Sequence, residues 1–294
     1  MKILKGFAMF LVLSLSFSSC FDAPSFGTTP VIEFEKIEFV ELGDFSDPDS
    51  LNLYIRFRDG DGDLGLNAEQ VYNPYNSTNF FVGNGGDLTP VSAGIYYINF
   101  KYKSSGKIPK DPSYVIDANM PTGKLVSFAD QSTYDLPPFQ LPYTCTAYDS
   151  AYLQDTIFVS YDDRAIINPA QVVDTLVDQN GLDVGYALLQ TWYVQPNPDH
   201  YNITVKFMVK QNDATFKEYN FRKEFCQTYD GRFPTLSEDA RPLEGSLLYA
   251  MIGSGFLATF SVKTLKLEIQ IKDRALNKSE VISTPEFTLN GIRK

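Results

Sequence analysis

The sequence predicts an all-β protein built as a β-sandwich with long insertions. Three observations predict it. Apolar and polar residues alternate with a period of two in segment after segment, the pattern of a half-buried strand. Clusters of Asp, Asn, Gly, Pro and Ser separate those segments, as turn chemistry requires. Aromatic residues make up 14% of the chain, with 18 Tyr and 23 Phe, and such side chains pack well on pleated sheets.

The elements follow in chain order. VIEFEKIEFVEL (31–42) sends Ile32, Phe34, Ile37 and Phe39 to one side, with a slip near Lys36 that predicts a bulged strand. LNLYIRF (51–57) alternates cleanly through Leu51, Leu53, Ile55 and Phe57. IYYINFKY (95–102), TIFVSY (156–161), YNITVKFMVK (201–210), ATFKEYNFRKEF (214–225), FSVKTLKLEIQIKD (260–273) and VISTPEFTL (281–289) also read as strands. LLQTWYV (188–194) and LLYAMI (247–252) suit short helices or strands alike. Residues 67–145 are rich in Tyr, Asn, Gly and Pro, and read as a long insertion at a sandwich edge. The domain is therefore expected over 31–294, behind a polar tether at 20–30.

The N-terminus points to export. Lys2 and Lys5 precede an apolar core from Phe7 to Phe17, the length of a signal-peptide core and too short for a comfortable membrane span. Small residues Ser18 and Ser19 then lead to Cys20, which looks like a lipobox. On that reading residues 1–19 are a lipoprotein signal peptide and Cys20 carries the lipid. The other reading is an ordinary secretory signal beside an incidental cysteine. Several acyl chains give a stable anchor, at about 0.8 kcal/mol per buried CH₂.

Losing Lys2 and Lys5 with the signal, and no acid, moves the net charge from −11 to −13. So acidic a chain is a poor partner for nucleic acid or anionic lipid. Cys145 and Cys226 remain, and outside the cytoplasm they form either a disulfide or two separately buried thiols.

FRDGDGDLGL (57–66) carries the most distinctive chemistry. Asp59, Asp61 and Asp63 alternate with glycines at a strand end, and oxygen ligands at every second residue suit Ca²⁺. An EF-hand would need Gly and Glu where this chain has Leu64 and Gln70, so the loop is not one. A different calcium loop would recruit ligands from elsewhere, such as Asp273. The structural alternative is an Asx-rich turn with glycines at positive φ. Three adjacent carboxylates would repel one another without a cation.

Catalysis finds little support, and the chain reads as a non-enzyme. His200 is the single histidine and sits in a turn-like NPDHYN. There is no G-x-S-x-G elbow, no HExxH, no paired CxxC and no Gly-rich phosphate loop. A glycosidase pair of carboxylates leaves no sequence signature. Trp192, Tyr193 and the Tyr-rich insertion are candidate contact residues for a sugar or a protein, although a sandwich core also needs such aromatics.

The two ends of the chain resemble a group of Bacteroidota outer-membrane lipoproteins of mostly unassigned function. The shared features are the lipobox, an early strand running into DGDGDLG, and a late hairpin, here DRALNKS (273–279). That hairpin also resembles the last turn of bacterial immunoglobulin-like domains, which implies an immunoglobulin-like β-sandwich. The likeness covers about 30–66 and 262–289 and hardly touches the middle. Asp-Ser/Thr-apolar triplets at Ser50, Ser150, Thr156 and Thr175 fit the O-glycosylation sequon of that phylum, and also fit ordinary turns. The resemblance implies a lipid-anchored accessory subunit of an outer-membrane complex for transport, secretion or barrel assembly. It would face the cell surface, with the periplasmic face as the other placement. A glycan-binding surface lipoprotein is the alternative.

Overall fold

The computed structural model describes residues 25–41, 48–96, 99–109, 113–117, 122–138, 151–253 and 255–294. Cys20, Cys145, Ser150 and the signal segment lie outside them. Strands dominate, and no described helix exceeds five residues, so the chain is all-β.

Two small sheets share one core. Strands β1 (Val31–Val40), β2 (Ser50–Asp59) and β13 (Leu243–Ile252) form an antiparallel sheet with β2 in the centre. The slip near Lys36 is present: the β1–β2 register shifts between Phe34 and Lys36. The facing sheet has the order β12 (Phe216–Tyr219), β11 (Ile203–Lys210), β14 (Leu265–Ile271), β15 (Ile282–Ser283). Alternation decides what enters the core. Leu51, Leu53, Ile55 and Phe57 from β2 meet Ile203, Val205 and Phe207 from β11 and Leu265, Leu267 and Ile269 from β14. Phe207 stacks on Phe256 and Phe260, at 6.0 and 5.7 Å between ring centres. Each such buried side chain contributes about 1.5–3 kcal/mol.

The middle of the chain differs from the expected edge insertion at 67–145. Strands from Thr78 to Pro196 join in one sheet of their own. TIFVSY and LLQTWYV belong to it, as parts of β8 (Ala151–Ser160) and β10 (Asp183–Pro196). β3 (Thr78–Asn84), β4 (Asp87–Tyr96), β6 (Ser113–Asp117), β8 and β10 follow one another as neighbours. β10 then pairs back onto β3 through Val194–Phe80, Gln195–Asn79 and Pro196–Thr78, which closes a five-stranded barrel. β9 (Val172–Val177) and β5 (Lys101–Tyr102) extend the sheet beyond β10, and β7 (Lys124–Leu125) pairs with β3. The β3–β4 turn needs two residues at positive φ, and Gly85 and Gly86 supply +61° and +102°.

The barrel has a separate core of Phe80, Val82, Val91, Ile116, Ile157, Val159, Leu188, Trp192 and Val194. Trp192 is 0% exposed and donates its indole N–H to the Asp155 carbonyl at 3.0 Å. Tyr193 is also buried. Neither residue offers the contact surface that the sequence allowed for them.

Three other segments depart from the expected strands. Asn220 accepts from Lys223 N and starts a short helix, α2 (Phe221–Phe225), so β12 stops at Tyr219. Phe256–Phe260 forms another, α3, after α1 (Gln131–Tyr134) earlier in the chain. Of VISTPEFTL, the pair Ile282–Ser283 is strand.

Candidate metal centre

The aspartate corner begins where β2 ends. Asp59 is its last residue and is 0% exposed. The chain then turns through Gly60, Gly62 and Gly65, wedged against neighbouring backbone. Gly62 and Gly65 have φ of +72° and +96°, and a Cβ there would lie 2.2 Å from the Arg241 carbonyl and 2.1 Å from that of Pro234. Glycine is required twice over, by conformation and by space.

The turn folds onto the hairpin between β14 and β15. Asp63 accepts at its carbonyl from Arg274 N (3.2 Å) and at its carboxylate Oδ2 from Ala275 N (3.1 Å). Asp59 Oδ2 accepts from Asp63 N at 3.0 Å. Asp273, two residues past the end of β14, accepts from Asn277 N (2.7 Å) and from Asn277 Nδ2 (2.8 Å). The expected recruit thus arrives beside the loop. One carboxylate oxygen each from Asp59, Asp63 and Asp273 lie within 4.8 Å of one another.

The remaining oxygens mark the site. Asp59 Oδ1, Asp61 Oδ1 and Asp63 Oδ1 are all shielded from solvent and lack a hydrogen-bond partner among the described residues. No described ion pair involves any of the four aspartates. Burial, reinforced by Asp61 and Asp63, pushes the Asp59 carboxyl up to about 6. Burial, with Asp273 and Asp61 beside it, pushes Asp63 up to about 6 as well. Asp273 is raised by burial too. Orphaned buried carboxylate oxygens are costly. A hard cation would satisfy them, and an all-oxygen donor set of acids suits Ca²⁺.

The other expected sites are scattered. Ser50 opens β2, half-buried, and its hydroxyl donates to Asn52 Oδ1 at 2.7 Å. Thr156 lies in β8 and Thr175 in β9, both half-buried, each with its N–H bonded to the preceding aspartate, Asp155 or Asp174. Cys226 caps α2 in a left-handed conformation and is disulfide-bonded to a partner outside the described residues.

Sequence reading missed the polar network beside the corner. His200 Nδ1 donates to the Tyr75 carbonyl at 2.9 Å, and burial lowers its pKa. Asn197 is 4% exposed and donates to the Pro74 carbonyl at 2.7 Å. Asn202 pairs with the Phe233 backbone at 2.9 Å in both directions. The available signal was a set of asparagines in NPYNS and NPDHYN, which ordinary loops share.

No family model matches the chain, and neither a curated protein nor a solved structure matches it significantly.

Proposed function

We propose that this chain is a non-catalytic lipoprotein of the outer membrane, anchored at Cys20, that serves as an accessory subunit of a membrane protein complex. The two-sheet unit is an immunoglobulin-like sandwich. Its order β1-β2-β13 against β12-β11-β14-β15 corresponds to A-B-E against C′-C-F-G, with the barrel spliced between B and C. The barrel is the partner-facing module. One observation carries that choice: Val173, Leu182 and Leu189, on or beside adjacent strands β9 and β10, are 56, 65 and 45% exposed. Exposed apolar side chains on neighbouring strands and their turn suit a protein partner.

Glycan binding is less well supported. Tyr161 is an exposed ring beside the barrel, but Arg164 lies over it at 4.4 Å and Tyr186 stacks on it at 6.0 Å. A sugar stacks on a free ring face, and this one is occupied.

We further infer that Asp59, Asp63 and Asp273 hold a calcium ion that braces the sandwich, with Asp61 outside that close group of three. The orphaned, fully buried Asp59 Oδ1 supports it.

Pull-down of the tagged chain from native membranes in mild detergent, with mass spectrometry of the eluate, tests the subunit role. A stoichiometric integral-membrane partner is expected. Recovery of the lipoprotein alone would sink the subunit role and send effort to glycan arrays.

A further inference from the structure

We propose that calcium at the aspartate corner latches the barrel to the sandwich, with Tyr75 as the positioning residue. This deepens the calcium reading above and rests on it. The independent sign of a ligand is again Asp59, 0% exposed, with Oδ1 unpartnered beside the other carboxylates.

The chain leaves the sandwich after the corner and returns to it near Asn202. Both crossings are tied to the β14–β15 hairpin. On the way out, the buried Tyr75 donates its hydroxyl to the Arg274 carbonyl. On the way back, Lys272 Nζ donates to Asp199 Oδ1 at 2.6 Å and to the Pro198 carbonyl at 3.1 Å. The Lys272 N–H also donates to the Asn202 carbonyl at 2.9 Å. The crossings are bonded to each other through His200–Tyr75 and Asn197–Pro74.

That same hairpin supplies Asp273 to the cation and the Arg274 and Ala275 N–H groups to Asp63. Arg274 is one residue from a ligand, and its carbonyl is what Tyr75 holds. A cation drawing Asp59, Asp63 and Asp273 together fixes that carbonyl. Without it, like charges push the hairpin away from the end of β2 and slacken the crossings.

Hydrogen exchange with mass spectrometry, on the full lipidated chain in mild detergent, tests this beside calorimetric titration with Ca²⁺. Calcium is expected to slow exchange about tenfold or more both at the site (59–66, 272–277) and at the crossings (72–77, 197–202). Tyr75→Phe is expected to keep calcium affinity within about twofold and protection at the site, while losing it at the crossings. Absence of calcium binding would overturn the cation site and the latch together. Binding with protection confined to the site in the wild-type chain would overturn the latch alone, and that comparison needs no variant to fold.

Discussion

Tyr75 and Arg274 stand 199 positions apart, yet the Tyr75 hydroxyl donates to the Arg274 carbonyl. This bond joins the first crossing toward the barrel to the last hairpin of the sandwich. The neighbouring Arg274 N–H donates to the Asp63 carbonyl at 3.2 Å. One turn residue therefore touches the barrel connection with its carbonyl and the aspartate loop with its amide. Both bonds fall on one residue, so the corner and the crossing are tied to the same turn.

Removing the cation is expected to lower thermal stability. A ligand at a hundred times its Kd adds about 2.7 kcal/mol, which for a chain of this size is about 4–5 °C in Tm. Melting followed by scanning fluorimetry, in calcium and then in excess EGTA, measures it. Asp59→Asn should abolish the calcium response. It should also melt no lower than the wild type in EGTA, because it removes one of the repelling charges. An unchanged calcium shift in Asp59→Asn would remove that residue from the ligand set.

The pH dependence without cation follows from Asp59 and Asp63. Both are raised from 3.8 to about 6 in the folded chain. Between those values the folded chain holds more protons than the unfolded one, so stability falls as pH rises through the window. In EGTA, Tm should therefore be higher at pH 5 than at pH 7. Saturating calcium should cancel that trend, since the ion replaces the protons, and apparent affinity should weaken as pH drops through 6. His200 opposes the trend, because its pKa is lowered by burial and protonation at acid pH costs stability. Asn at Asp59, Asp63 and Asp273, whose carboxyl burial also raises, should leave the histidine trend, with stability falling toward acid.

Much of the sandwich was legible because its central strands β2, β11 and β14 each bury one face. LNLYIRF, ITVKFMV and LKLEIQI alternate strictly, and even the bulge at Lys36 showed as a broken alternation. The barrel was not legible for the opposite reason. In β10, Ala187 and Leu188 are both buried, as are Trp192, Tyr193 and Val194, so period two disappears. Helix and strand then look alike in sequence. The closing pairs join β10 to β3 across more than a third of the chain, and no local pattern encodes such a partner. The aspartate corner was legible as chemistry, through carboxylates spaced two apart. Its buried bonding to Ala275 and Arg274 depends on tertiary placement.

The two cores should report separately. Trp192 is the single tryptophan and lies in the barrel core, so its fluorescence follows the barrel. Phe207 lies in the sandwich core among Phe221, Phe256 and Phe260. Phe207→Ala removes a large buried ring and should cost about 3–5 kcal/mol. In urea, circular dichroism should then show an early transition while the Trp192 emission shift stays near its wild-type midpoint. Coincident early transitions by both probes would mean that the barrel cannot stand without the sandwich.

The ion pair between Lys272 and Asp199 should respond asymmetrically to substitution. Their side chains are 8% and 34% exposed and meet at 2.6 Å. Asp199→Asn leaves a nearly buried ammonium whose remaining described acceptor is the Pro198 carbonyl at 3.1 Å. Lys272→Met leaves a carboxylate that can still reach water, and fills the vacated stem with apolar volume. Breaking a buried pair costs about 3–5 kcal/mol when the stranded charge stays buried, and far less when it is solvated. Asp199→Asn is therefore expected to lower the urea midpoint more than Lys272→Met does. Equal losses would show that the stem packing of Lys272 matters as much as its charge. A larger loss in Lys272→Met would show that the returning crossing is held by the lysine bond to Pro198 rather than by the carboxylate.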